Sequence, residues 1–379
     1  MKPALRSAID PFIALEVLKA ANDRAAQGLD VLHMEVGEPG GGPPEAVLDA
    51  ARRCLAAGRI GYTESLGIPP LRARIAGHYR DRYGIDLAPE RVVVTTGSSA
   101  GFLLAFLAAF EPRARIALAD PGYPAYRNIL KALDFQPVNL AAGPETGFQP
   151  TPALLDGAGA LAGVLVASPA NPTGAMLAPA ELEALCAWCR ERDAWLISDE
   201  IYHGIVYGKP VETALRFSDH AIVVNSFSKY FAMTGWRVGW LVLPEALVRP
   251  VERLAQSLYI SPPALSQQAA LAALDCRPEL DRRVAAYARN RALLLEALPR
   301  AGFEIAAPAD GAFYIYADIR RLSNDSVAFC KKMLAETGVA ATPGVDFDTA
   351  RGHRYVRFSF AGAEDEIARA AQALRRWLG

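Results

Sequence analysis

Short apolar runs recur through the middle of the chain, separated by stretches of helical length. Residues 91–95, 114–119, 161–167, 194–198 and 221–225 read as strands, and 240–243 as one more. Residues 100–110 and 180–192 read as helices between them. β-branched apolar runs alternating with helices predict an α/β fold, a mostly parallel sheet with helices on both faces. Ligands of such sheets sit beyond the carboxyl ends of the strands. Gly97, Ser98, Asn171, Asp199 and Lys229 all fall there.

The last third changes character. Residues 266–275 and 282–298 read as helices, while 311–316 and 354–360 alternate like strands with one covered face. This predicts a smaller α+β domain, and the first forty residues are expected to pack with it. Gly40-Gly-Gly-Pro-Pro44 is a natural breaker. The expected division is a large α/β domain over 44–274 and a small α+β domain from 1–43 and 275–379.

With 379 residues, 52% of them apolar, the chain has ample material for a large core. A net charge of −1 gives no pointer to nucleic acid or to an acidic membrane surface. No apolar run approaches the roughly 20 residues that span a bilayer. Residues 1–22 lack the layout of a signal peptide, so a cytoplasmic location is expected. Five cysteines without framework spacing fit free thiols. Cys186 and Cys189 lie three apart in a helical pattern and read as core thiols, and the five scattered histidines suggest no metal site.

The candidate chemistry begins with Ser226-Phe-Ser-Lys229, which follows the run 221–224, with Arg237 eight residues on. A lysine just past a buried strand suits an aldehyde held as a Schiff base. The hydroxyls and Arg237 suit that aldehyde's phosphate. Alone this proves little, since most lysines are solvated surface groups. Thr95-Thr-Gly-Ser-Ser-Ala-Gly101 joins a strand to a helix. Gly97 permits a tight turn, Ser98 or Ser99 can cap the helix, and the helix N-terminus favours phosphate. By itself it reads better as an ordinary capped helix.

Asp199 ends a strand in Ser198-Asp-Glu-Ile-Tyr202. A carboxylate there would keep a pyridine nitrogen protonated and make the ring an electron sink. The plain alternative is an acid capping the next turn. Tyr202 is near enough to share the cavity. Ser168-Pro-Ala-Asn-Pro-Thr-Gly174 fixes Asn171 with two prolines and a glycine, which suits its amide to a phenolic oxygen better than a turn without chemistry would. Tyr123 offers a stacking face on a stiff loop, and Tyr62 is a second exposed aromatic. Arg357 is either a bidentate partner for a carboxylate or a surface strand arginine.

In this order the pieces resemble the class I/II pyridoxal-phosphate-dependent aminotransferases of fold type I, the aspartate aminotransferase superfamily. The resemblance runs from Gly37-Glu-Pro39 to Arg357-Phe-Ser-Phe360. It implies pyridoxal 5'-phosphate as cofactor and transfer of an α-amino group between an amino acid and a 2-oxo acid. By matching position it makes Lys229 the Schiff-base lysine and Cα base, and Asp199 the partner of the ring nitrogen. It makes Tyr202 and Asn171 donors to the phenolic oxygen and Tyr123 the stacking aromatic. Gly97, Ser98, Ser99, Ser226, Ser228 and Arg237 become the phosphate cradle. Tyr62 matches a tyrosine that reaches the neighbouring subunit's phosphate, which implies a homodimer with shared active sites. Arg357, with Gly37 and Asn171 beside it, matches the clamp on the substrate α-carboxylate.

One departure stands out. Gly40-Gly-Gly42 replaces an acidic and an aromatic residue in a segment that borders the substrate side chain in many relatives. Amino-acid preference is therefore not inherited, and no second arginine marks a dicarboxylate side chain. A carbon–sulfur β-lyase of the same fold is the alternative. It would release pyruvate, ammonia and thiol without an acceptor. An effector-binding module of a transcription regulator is disfavoured, because Gly37-Glu-Pro39 comes early and the charge is near neutral.

Overall fold

The computed structural model describes residues 1–58 and 60–379. Among the described residues, seven strands form the central sheet. Their order is Val92–Thr95, Gly239–Val242, Ile222–Ser226, Trp195–Asp199, Gly163–Ala167, Arg115–Asp120 and Gln136–Ala141. Gly239–Val242 runs antiparallel to both neighbours, and the other six are parallel. The α/β class read from the sequence is the one observed. The sequence pattern does not predict the strand 136–141. It lies at the sheet edge, where Gln136, Pro137 and Asn139 interrupt the apolar run that marks an interior strand.

Both faces of the sheet are covered, and neighbouring strand residues serve different cores. Val92, Val94, Ala117, Val164, Val166, Leu196 and Val223 join one cluster with the helices Pro69–Tyr83, Pro179–Glu191 and Ala264–Ala273. Val93, Ile116, Leu118, Leu165, Ile197, Ile222 and Val224 join another with the helices Ser98–Ala109, Pro124–Ala132 and Glu245–Leu258. Burial on both sides is why these strands carry no polar alternation. Cys186 and Cys189 are buried on the helix Pro179–Glu191, and all five cysteines are free.

A second, antiparallel sheet has the order Thr342–Pro343, Tyr355–Ser359, Tyr314–Asp318 and Glu304–Ile305. The strand expected at 311–316 begins three residues late. Gly311 N–H donates to Gly174 O and Ala312 N–H to Ile205 O, so these residues dock on loops of the large sheet first. The N-terminal strand Leu32–His33 pairs in parallel with Val339–Ala340. Asp346 accepts hydrogen bonds from the backbone of Ile13 and Ala14 at 3.0 and 3.3 Å, satisfying the N-terminus of the helix Ile13–Ala26. No helix among the described residues is long and apolar enough to cross a membrane.

Gly163 leaves no room for a side chain in the sheet, since a Cβ would stand 2.5 Å from the Phe110 ring and 3.2 Å from Trp195 O. Gly163→Ala is expected to destabilise the fold by about 1–3 kcal/mol through overpacking. Urea unfolding measures this, and an unchanged midpoint would contradict the packing described.

Candidate active site

The parallel strands deliver their functional side chains to one end of the sheet. Asp199 and Ser226 are the last residues of their strands, and Ser168 follows the strand Gly163–Ala167. The antiparallel strand begins where these finish, with Gly239 in register with both Thr95 and Ser226. Arg237, two residues earlier, therefore arrives at the same end. Its backbone is left-handed (φ 51°, ψ 52°), unusual for a side-chain-bearing residue and often found where a site fixes the backbone.

These residues enclose a cavity of about 570 Å³, within the range of roughly 300–1,000 Å³ usual for small-molecule sites. Gly37, Ser98, Ser99, Tyr123, Asn171, Asp199, Tyr202, Ser228, Lys229, Arg237 and Arg357 all line it. Three sequence-selected residues do not. Gly97 stands behind Arg237, where a Cβ would come within 2.4 Å of Nη2. Ser226 braces rather than lines. Its Oγ donates to Val238 O at 3.1 Å, accepts from Ser228 N–H at 3.1 Å, and lies 3.0 Å from Ser228 Oγ. Tyr62 is 84% exposed on the outer surface. A further correction concerns the helix start. Gly97 occupies the N-cap with no side-chain cap, and Ser98 and Ser99 are its first helical residues. Their hydroxyls and N–H groups stay available to a ligand.

Asp199 is buried at the cavity floor. Tyr126 Oη donates to its Oδ2, and Ile201 N–H donates to Oδ1 at 3.0 Å. Burial pushes the carboxyl up to about 6, against the pull of those two donors. Lys229 Nζ donates to Gly37 O at 2.7 Å. Burial, with Arg357 close by, pulls its ammonium down to about 8. Gly37 has no room for a side chain, since a Cβ would sit 1.8 Å from Tyr314 Oη. Arg357 is buried. Its Nη1 donates to Asn171 Oδ1 at 2.9 Å and its Nη2 to Glu35 O and to Thr342 Oγ1. Its Nε has no hydrogen-bond partner among the described residues. The guanidinium is also flanked by the rings of Tyr314 and Phe347, at 4.4 and 4.7 Å from their centroids.

Sequence reasoning misses Tyr126, Tyr314 and the N-terminal segment. Tyr126 lies three residues after Tyr123, a helical spacing that the sequence does display. Tyr314 Oη stands 2.7 Å from Tyr202 Oη, a contact across 112 residues that no local pattern carries. Ile9, Phe12 and Leu15 form an apolar wall of the cavity. Gly40–Gly42 do not line it. Gly41 and Gly42 instead make a turn at φ 85° and 66°.

The groups present fit pyridoxal phosphate. Gly239 lets the backbone of Gly97 and Ser98 approach closely, since a Cβ there would lie 3.0 Å from each. This sets the N-terminus of the helix Ser98–Ala109 beside Arg237, which has no carboxylate partner among the described residues. Helix N–H groups, serine hydroxyls and a free guanidinium make a site for a phosphate dianion. Asp199 and Lys229 supply an acid and an amine to the same cavity.

Residues 30–374 match the family model described as aminotransferase class I and II. The chain is 50% identical over 380 residues to a Mycobacterium tuberculosis protein named valine–pyruvate aminotransferase, covering 99% of this chain and 98% of that one. It is 34% identical over 379 residues to an aspartate/prephenate aminotransferase of Thermus thermophilus, covering 98% and 97%. A crystal structure of an aminotransferase from Mycobacterium tuberculosis matches with a TM-score of 0.97 at 50% identity, covering 100% and 99%. Thermus thermophilus aspartate aminotransferase with maleate matches at 0.93 and 33%, covering 99% of each chain.

The raised Asp199 carboxyl has a measurable signature in cofactor-free protein. Between the unfolded value near ~3.9 and the folded value, the native state keeps a proton that the unfolded state has lost, so stability falls as pH rises. Asparagine does not titrate. The stability of Asp199→Asn relative to wild type should therefore rise by on the order of 2–3 kcal/mol from about pH 4 to about pH 7, then level off. Urea unfolding at several pH values reads this difference. A difference independent of pH would refute the buried carboxylate.

Proposed function

The chain belongs to the class I and II aminotransferases, enzymes dependent on pyridoxal phosphate, and from that premise we propose that its amino donor is valine or an aliphatic amino acid of like size, with pyruvate as acceptor. The activity itself is transamination, moving an α-amino group between an amino acid and a 2-oxo acid. The observation that carries the donor assignment is half identity, along the whole chain, to a protein named for that substrate pair. The cavity supports it. Its cations are Lys229, Arg237 and Arg357, each suited to another task, and the wall of Ile9, Phe12 and Leu15 offers apolar contact to a side chain.

The residue roles follow from chemistry at each atom. Arg357 holds the substrate α-carboxylate, with Asn171 fixing the guanidinium from one side. Arg237, Ser98, Ser99 and Ser228 hold the phosphate, and Ser226 braces Ser228. Tyr123 would offer a stacking face to the ring. Asn171 and Tyr202 would hold its phenolic oxygen, and Asp199 its nitrogen. When bound, pyridoxal phosphate supplies a protonated ring that delocalises the electron pair left as Cα loses its proton. Lys229, with its amine brought toward neutral pH by burial, takes up that proton at Nζ and returns it.

The domain division at 44 and 274 belongs to the same reading. It is supported by the pairing of Leu32–His33 with Val339–Ala340. So does a homodimer with shared sites. Leu55, Ile60, Tyr62, Leu258 and Ile260 are exposed apolar residues, and Ser65 Oγ donates to Ile260 O to hold the two loops together. Five free cysteines support a reducing, cytoplasmic compartment.

In a donor screen, valine with pyruvate should give alanine and 3-methyl-2-oxobutanoate. Its kcat/KM should exceed that of aspartate with 2-oxoglutarate by about tenfold or more, as an apolar pocket discriminates. A preference for aspartate would overturn the donor assignment. Lys229→Ala should bind the cofactor without its covalent absorption band and turn over no substrate. Full turnover by that variant would remove Lys229 from its role.

A further inference from the structure

Asn171 and Asp199 stand on separate segments, and Ser168 joins them. Its N–H donates to Asp199 O at 3.3 Å, and its Oγ accepts from Leu177 N–H at 2.9 Å. Its carbonyl lies 3.0 Å from His203 Nε2. A carbonyl only accepts, so Nε2 carries the proton and Nδ1 is the acceptor. Tyr83 Oη, 2.7 Å from Nδ1, is then the donor. Burial pulls the imidazole down to about 3, so the ring is neutral and this tautomer persists. Glu200 Oε2 lies 3.5 Å from Nδ1, and its carboxyl is pushed up to about 8 by burial. Neither His203 nor Tyr83 lines the cavity.

We propose that His203, fixed in one tautomer by Tyr83, is a positioning residue that clamps the Asn171 loop against the Asp199 turn. The imidazole is a rigid spacer between the helix end at Tyr83 and the first residue of the loop. Asn171 in turn holds Arg357 Nη1. A slack loop would displace both the donor facing the cofactor's phenolic oxygen and the clamp on the substrate carboxylate. This role is independent of which amino acid is the donor.

Three holoenzyme variants test it. His203→Leu should raise KM for the best amino donor by roughly tenfold or more, because small misplacements at a site are costly. It should also move the pH midpoint of the cofactor's visible absorption upward, since an oxygen that loses a hydrogen-bond donor is harder to ionise. His203→Gln, which keeps an N–H donor, should restore both in part. Tyr83→Phe, which leaves the ring in place, should shift both less and in the same direction. A lowered melting temperature with unchanged KM and midpoint would make the histidine merely structural and overturn the proposal. If His203→Leu does not fold, Tyr83→Phe decides, and wild-type KM and midpoint there overturn it equally.

Discussion

A carboxylate held dry at the end of a β-strand is the constraint around which this site is built. Asp199 is nearly inaccessible to solvent, and among the described residues only Tyr126 and the backbone of Ile201 hydrogen-bond to its oxygens. An isolated buried charge is costly, and here the cost is retained rather than relieved. The same enclosure depresses the Lys229 ammonium. An acid that resists ionising and an amine that resists protonation therefore face one cavity.

Topology does the rest of the placement. Five of the cavity-lining segments follow parallel strands, and a sheet of parallel strands alone would bring only carboxyl ends to this edge. The antiparallel strand Gly239–Val242 breaks that rule. Its start lies beside the ends of its neighbours, so Arg237 enters from the opposite chain direction and meets the helix Ser98–Ala109 at its N-terminus. Gly239 is the residue that permits this close approach.

Much of this architecture is legible in the amino-acid sequence, and the exceptions share a cause. Interior strands announce themselves because both faces are buried, and most observed bounds lie within two residues of those expected. The edge strand 136–141 does not, since it is largely exposed or half-buried and so admits polar residues and proline, whereas the opposite edge strand, Val92–Thr95, is fully buried and reads as apolar. The ordered motifs locate Lys229, Asp199, Asn171 and Arg357, which do meet in one cavity. Sequence spacing cannot distinguish Ser228, which lines that cavity, from Ser226, which supports it. Nor can it pair Tyr83 with His203 across 120 residues, because periodicity reports which face a residue occupies and not what it meets there.

The division of the sheet between two cores has an evolutionary corollary. Ile197 and Asp199 point one way, toward the core that holds Tyr126, while Leu196 belongs to the other. Parity along the strand thus encodes on which side the acid emerges. A single codon gained or lost inside residues 195–199 would invert that parity and turn the carboxylate away from the ligand. Lineages descending from this architecture are free to lengthen the connections, whereas the strands admit change by replacement alone.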